Sequence, residues 1–369
     1  MPANQELLAL LNKRISKVTD EIKAQNADAL VIFNQANYRY LTNFTGEEAE
    51  LILTKDGDRV LLSDSRFKDQ IRHQAPGELK VVMQTMDNIK EISRQLKKLP
   101  VKRVLVEGEF ISASQFDTLV TQNPDLDFVL SNELVEKART VKDELEVKAL
   151  QKAIDISMQS FKDILPMIKP GVSEKAVGAK LDYLFKINGG EGPSFETIIA
   201  SGYRGSWAHG VASDKKIQEG ELIVIDFGSF YNGYTADITR TVALGQVDSE
   251  LEKIYHIVYE AQKRGIQAAI AGNYGADIDK AARSYITEQG YGEYFGHGIG
   301  HGIGLEIHEL CTPAMPYSKE IMKDNMAITV EPGIYLPDKG GVRIEDDILI
   351  SDDKPITMSD LPKKELLVL

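Results

Sequence analysis

The stretch IVIDFGSFYNGYTADITRTVAL runs from Ile223 to Leu244. Two runs rich in β-branched and aromatic residues flank Asn232-Gly233, the dipeptide that type I′ hairpin turns favour. With that pair as the loop, Tyr231 faces Tyr234, and Gly228 faces Asp237, where its missing side chain is expected to leave room for whatever lies between. Asp226 is then a diagonal neighbour of Asp237 on the same face, about 7–8 Å away at the backbone. A slip of one residue would send the two carboxylates to opposite faces. Together on the buried face of apolar strands they repel, and they need a cation or a shared proton. Read in isolation, Asp226 is also compatible with a strand end and Asp237 with a solvated loop.

Further along, GHGIGHGIGLEIHE (Gly296–Glu309) holds three of the six histidines in the chain. Each interior glycine costs a helix about 1 kcal/mol relative to alanine, so an extended path is expected. His297 and His301 share a face of an extended chain, and His308 has the opposite parity. ITVEPGIYL (Ile328–Leu336) puts Glu331 where a strand breaks at Pro-Gly. GGVRIEDDILIS (Gly340–Ser351) alternates, with Arg343 and Glu345 on one face and Val342 and Ile344 on the other. On its own, Glu345-Asp346-Asp347 reads more readily as a solvated acidic cluster than as a ligand set.

The remaining chain bounds the reading. It has 369 residues, enough for two domains, with 43% hydrophobic and 27% charged residues. A net charge of −13 argues against nucleic acid and anionic membranes. The opening MPANQELLAL lacks the basic start and apolar core of a signal peptide, and no apolar run reaches the ~18–20 residues of a membrane span. Cys311 is the only cysteine, which excludes an intrachain disulfide and favours the reducing cytoplasm; it is read as structural. HExxH, GxSxG, a phosphate-loop lysine and GxGxxG are all absent.

In the first half, Leu7, Leu8, Leu11, Ile15, Val18 and Ile22 predict an amphipathic helix over about 4–23. ALVIF (29–33), a hairpin around Asp56-Gly57, LKVVM (79–83), RVLVEG (103–108) and FVLS (128–131) predict strands, with helices between them. Residues 133–171 read as long and strongly helical, ending at Pro170-Gly171. The domain boundary lies between Asn132 and Arg139, giving domains 1–132 and 133–369. The fold class expected is α+β: a small mixed α/β amino-terminal domain followed by an α+β domain that carries the chemistry.

Asp226, Asp237, His301, Glu331 and Glu345 form one grouping of four carboxylates and an imidazole. Oxygen-dominated ligation with a single histidine suits Mn²⁺ or Co²⁺ better than a structural zinc. Four negative charges match two divalent ions, which about 3.5–4 Å apart hold and acidify a bridging water.

These residues, in this order, resemble the pita-bread metallopeptidases, which include prolidase, aminopeptidase P, methionine aminopeptidase and creatinase. The matching motifs are IDFG…YTADITRT, GHGIGHGIGLEIHE, VEPGIYL and VRIEDDILI, and they cover the second half. The first half is similar to the creatinase-like amino-terminal domain of the proline-specific branch, with YLTNFTG (40–46) and LLSDSRF (61–67) similar to bacterial aminopeptidase P-like proteins. Methionine aminopeptidases usually lack that domain, and creatinase lacks the metal carboxylates.

The resemblance implies that Asp226, Asp237 and Glu345 hold two metals, probed best as Mn²⁺ with Co²⁺ and Zn²⁺ as alternatives, and that His301 and Glu331 complete the first. Glu331 is implied as general base. His308, and His209 from WAHG, would hydrogen-bond the scissile carbonyl, and His297 would line the proline pocket. Arg343 would support Asp226, with Tyr335 nearby. His73 and His256 are left as ordinary residues. The activity implied is removal of a residue amino-terminal to proline, by a cytoplasmic homodimer acting on proline-containing peptides. Segments 40–46 and 61–67 favour an Xaa-Pro aminopeptidase over an Xaa-Pro dipeptidase (prolidase). An inactive binding module and a metal-free creatinase-type hydrolase are disfavoured by the intact set of five.

Overall fold

Leu11, Val18 and Ile22 have no exposed surface along one face of α1 (Pro2–Ala24), the helix their spacing predicts. A computed structural model describes residues 2–84, 87–310 and 316–369 of the chain; Cys311 lies outside the described residues. Contacts divide the chain into two compact units, Met1–Arg139 and Thr140–Leu369.

The first unit continues through β1 (Ala29–Ile32), α2 (Gln35–Thr42), β2 (Ala49–Thr54), β3 (Arg59–Ser63), α3 (Lys68–Gln74), β4 (Lys80–Met83), α4 (Asn88–Leu96), β5 (Arg103–Glu107), α5 (Ala113–Gln122), β6 (Asp127–Ser131) and α6 (Leu134–Arg139). Its six strands form one sheet in the order β4-β3-β2-β1-β5-β6. β2 runs antiparallel to both neighbours and the other pairings are parallel. The Asp56-Gly57 hairpin forms as predicted, with Gly57 at φ +94°. The limits expected from composition, 1–132 and 133–369, move by one short helix. α6 stays with the first unit because Tyr40 donates its hydroxyl proton to the Ala138 carbonyl and Arg139 donates to Asn37 Oδ1 at 2.7 Å.

The long helix expected over 133–171 is interrupted. Asp143 caps a new helix, α7 (Glu144–Ile164), accepting from the Leu145 and Glu146 amides while Glu146 reaches back to the Asp143 amide. Such a capping box starts a helix rather than continuing one. The helix ends at Ile164, before Pro166, so Pro170-Gly171 lies beyond it.

The second unit goes on with α8 (Glu174–Ile187), β7 (Gly192–Pro193), β8 (Ile198–Ser201), β9 (Glu221–Phe227), β10 (Ser229–Phe230), β11 (Ile238–Leu244), α9 (Ser249–Ala268) and α10 (Gly275–Glu288). It closes with β12 (Ala327–Val330), β13 (Gly333–Leu336), β14 (Gly340–Arg343), β15 (Asp346–Leu349), β16 (Ile356–Thr357) and β17 (Leu367–Val368). Its sheets have the orders β17-β11-β9-β8 and β12-β15-β16, with the pairs β13-β14 and β10-β7. α9 and α10 bury Ile254, Val258, Ile278 and Ile286 against Ile328, Val330 and Ile348. These strands thus have an apolar backing on one side, which leaves the other face to carry polar groups.

The hairpin register is the one the turn residues predict. Thr239 pairs with Asp226, and Tyr231 bridges to Tyr234. Asn232 and Gly233 both have positive φ, at 47° and 69°, as a type I′ turn requires. Gly228 serves a different purpose from the one expected. A Cβ there would meet the Ala236 carbonyl oxygen at 1.7 Å, so the glycine admits the returning backbone rather than leaving space for a ligand.

Candidate metal centre

Asp226 sits near the end of β9, and Asp237 lies just before β11 on the returning arm, so the hairpin turns both carboxylates to one side. Neither is solvated: they are 8% and 6% exposed. The glycine-rich segment runs beside β12. The Thr329 amide donates to the His301 carbonyl at 2.8 Å, and the Glu331 amide donates to the Ile299 carbonyl at 2.7 Å. That pairing brings His301 Nε2 to 3.3 Å from Asp237 Oδ2 and 3.6 Å from Glu331 Oε1. Glu345 lies between β14 and β15 and is held by the hydroxyl of Thr239, which donates to its Oε2 at 2.6 Å.

Asp237, His301 and Glu345 each offer a ligand atom, all within 4.8 Å of one another. Asp226 Oδ1 is buried and has no hydrogen-bond partner among the described residues. Burial, followed by the neighbouring charges of Asp226 and Glu331, lifts the Asp237 carboxyl well above the ordinary range. Burial, then Asp237, does the same to Glu345, and burial also raises Glu331. A concentration of buried carboxylates that cannot all ionise, with one unpartnered oxygen, is the arrangement divalent cations relieve. The donor set therefore fits a metal.

The imidazole is oriented for the same purpose. His301 Nδ1 lies 3.0 Å from the Gly302 carbonyl, which can only accept, so Nδ1 donates there and Nε2 is the ring nitrogen turned toward Asp237 and Glu331.

Arg343 is the hub of the support. Its Nη2 donates to Asp226 Oδ2 at 2.6 Å, its Nε to Thr239 Oγ1 at 3.0 Å, and its Nη1 to Tyr335 Oη at 3.0 Å and the Ala208 carbonyl at 3.1 Å. Thr239 accepts from Arg343, so its single proton goes to Glu345. Tyr335 likewise accepts from Arg343 and donates to His297 Nε2 at 2.8 Å. His297 Nδ1 donates to the Gly298 carbonyl at 2.7 Å, which fixes that tautomer. Burial and the Arg343 charge push His297 down to about 4, so it is neutral at physiological pH.

All ten residues singled out from the sequence line one cavity of about 480 Å³: Asp226, Asp237, His301, Glu331, Glu345, His209, His297, His308, Arg343 and Tyr335. His308 stacks edge-on against His301, ring centroids 4.3 Å apart, and partial burial lowers its pKa. His209 is carried on a loop tied at both ends by Glu174, which accepts from the amides of Ser201 and Ser213 and pairs with Arg204. His73 and His256 lie on α3 and α9, exposed.

The acidic run Glu345-Asp346-Asp347 is a correction to the solvated reading, since these residues are 1%, 0% and 1% exposed. Asp346 points away from the cavity. Burial would raise it, but Arg240 and Lys363 outweigh that and hold it below the usual range. Asp347 accepts from the Asp237 amide at 3.1 Å. Sequence reasoning missed Thr239 and the apolar wall of Phe195, Ile198, Val211 and Ile307. The hairpin register already contained Thr239, directly opposite Asp226; the wall comes from scattered segments with no shared motif.

Residues 148–352 match metallopeptidase family M24, and residues 14–141 match the creatinase/prolidase N-terminal domain. The Xaa-Pro dipeptidase of Pyrococcus horikoshii is 36% identical over 93% of this chain and 95% of its own length. A solved Xaa-Pro dipeptidase from Bacillus anthracis superimposes with a TM-score of 0.93 at 39% identity, covering 97% of this chain and 100% of that one. A solved X-Pro aminopeptidase from Thermotoga maritima does so with 0.86 at 37% identity, covering 93% and 98%. With a pita-bread unit following a creatinase-like one, this chain belongs to metallopeptidase family M24, in its Xaa-Pro branch.

Proposed function

We propose that this chain hydrolyses Xaa-Pro dipeptides. The observation that carries the reading is the likeness, nearly end to end, to proteins named Xaa-Pro dipeptidase. It replaces the preference for aminopeptidase that segments 40–46 and 61–67 suggest.

Asp226, Asp237, His301, Glu331 and Glu345 would hold two divalent ions, with Mn²⁺ the first to try. Ions held there polarise the scissile carbonyl and lower the pKa of the attacking water. Glu331, beside His301, takes the proton from that water. His308 and His209 each present a ring N–H to the carbonyl oxygen as it gains charge. His297, neutral and fixed by Tyr335, gives the proline ring an uncharged wall. An Xaa-Pro bond is a tertiary amide without the N–H that general peptidases grip, so a dedicated pocket is required. A cytoplasmic homodimer is part of this reading; it rests on the single cysteine and on the family resemblance.

One observation favours the aminopeptidase alternative. A dipeptide carries its carboxylate one residue from the scissile bond, and among the described residues Arg343 is the only arginine or lysine lining the cavity. Its donors are already directed to Asp226, Thr239, Tyr335 and Ala208. Comparing kcat/KM for Ala-Pro and Ala-Pro-Ala in Mn²⁺ decides. The dipeptide reading expects the dipeptide to be cleaved and the tripeptide not; cleavage of the tripeptide alone refutes it.

A further inference from the structure

His308 has no ring hydrogen bond among the described residues, and its ring is exposed to the cavity. Its place is therefore set by its backbone. That backbone is built around the next side chain, Glu309, which turns inward and is 3% exposed. Glu309 Oε1 accepts from the Leu305 amide at 2.8 Å and the Glu306 amide at 3.4 Å, and the Glu309 amide donates to the Gly302 carbonyl at 2.9 Å. Glu309 Oε2 accepts from Lys142 Nζ at 2.8 Å, and that ammonium is 1% exposed. The loop is also moored to the hairpin, where the Thr235 amide and hydroxyl both donate to the Gly304 carbonyl, at 2.9 and 3.1 Å. A Cβ on Gly304 would meet Glu309 Oε1 at 2.4 Å, so the clamp also requires that glycine.

We propose that Lys142 and Glu309 form a buried ion pair that positions His308 over the metal centre. Neither residue lines the cavity, so the pair acts through the 302–309 loop. Two charges out of water demand close pairing, and breaking such a pair is costly, so the loop is held in a single arrangement. This rests on the reading of His308 as a substrate-facing donor.

The test is a set of variants, K142M, E309Q and G304A, each made in the native chain and in an H308A background. All are loaded with Mn²⁺, and kcat and KM for the best Xaa-Pro substrate are measured beside Mn²⁺ affinity by calorimetry. In the native background kcat falls about 10- to 100-fold, with KM and Mn²⁺ affinity nearly unchanged, because a donor displaced by about an ångström loses that much. In the H308A background the same changes cost no more than about twofold, since the group they position is gone. The double variant K142M/E309Q, which removes both charges, recovers part of the loss. G304A leaves both charges in place, so it reports on the clamp even where a charge variant fails to fold. Equal losses in both backgrounds, or losses tracking Mn²⁺ affinity, overturn the inference and leave the role of His308 intact. An H308A protein with native kcat overturns both.

Discussion

Replacing Arg343 with methionine removes a side chain that bonds Asp226 directly and reaches the Glu345 and His297 sides of the cavity through Thr239 and Tyr335. Among the described residues Asp226 Oδ1 already lacks a partner, and Oδ2 loses its 2.6 Å bond from Arg343, so a carboxylate 8% exposed is left with neither oxygen paired there. Breaking a buried pair in this way costs about 3–5 kcal/mol. For a unit of this size each kcal/mol moves Tm by about 2–4 °C, so the metal-free variant melts about 6–20 °C lower. Mn²⁺ affinity falls by about 10- to 100-fold once the Asp226 support is gone, so Mn²⁺ raises Tm less in the variant than in the native chain. Lysine does not restore the native state, because one ammonium cannot reproduce the forked contacts to Asp226, Thr239, Tyr335 and Ala208. Circular-dichroism melts with and without Mn²⁺, and calorimetric Mn²⁺ titration, measure each quantity. A metal-free R343M protein melting within about 2 °C of native, with native Mn²⁺ affinity, refutes the reasoning.

Further expectations follow from the same site. Asp237→Ala removes a ligand shared by the whole cluster, so turnover is lost while the far-UV spectrum is kept; retained turnover contradicts the ligand assignment. In the metal-free chain Asp237, Glu345 and Glu331 are raised, so the folded state binds protons that the unfolded state has released. Their contribution to stability is therefore present at low pH and is lost as pH rises from about 4 through their folded values. Mn²⁺ displaces those protons, and titrations near pH 6.5 in buffers of different ionisation enthalpy detect the release; identical heats in both buffers contradict it. His297, with its pKa near 4, stays neutral from pH 5.5 to 8. H297N therefore changes KM without moving the limbs of the pH–rate profile in that range, and a displaced limb means His297 titrates during turnover.

Much of the site was legible because its signals are local. Asn232-Gly233 determines the hairpin register, and with it the shared face of Asp226 and Asp237. Arg343 and Glu345 share a face by simple alternation. What escaped depended on distant partners. Glu345-Asp346-Asp347 looks solvated until Thr239, Arg240 and Lys363 arrive from elsewhere in the chain to bury it. The break before α7 was visible in Asp143 and Glu146, but the helical character of the residues on either side masked it. Gly228 admits the Ala236 carbonyl, a contact that exists only once the two arms meet. The carboxyl-end specificity lies outside these motifs altogether, and for that reason relatives and sequence segments point in different directions.

Metal content and Xaa-Pro hydrolysis measured on one preparation test the central claim most directly. Purified protein is stripped with chelator, then titrated with Mn²⁺ while bound metal and Ala-Pro or Ala-Pro-Ala cleavage are followed together. The account predicts two ions per chain, no turnover in the stripped protein, and turnover rising with occupancy in the native chain but absent in D237A. Undiminished turnover after stripping, or full metal loading with no cleavage of either peptide, contradicts it.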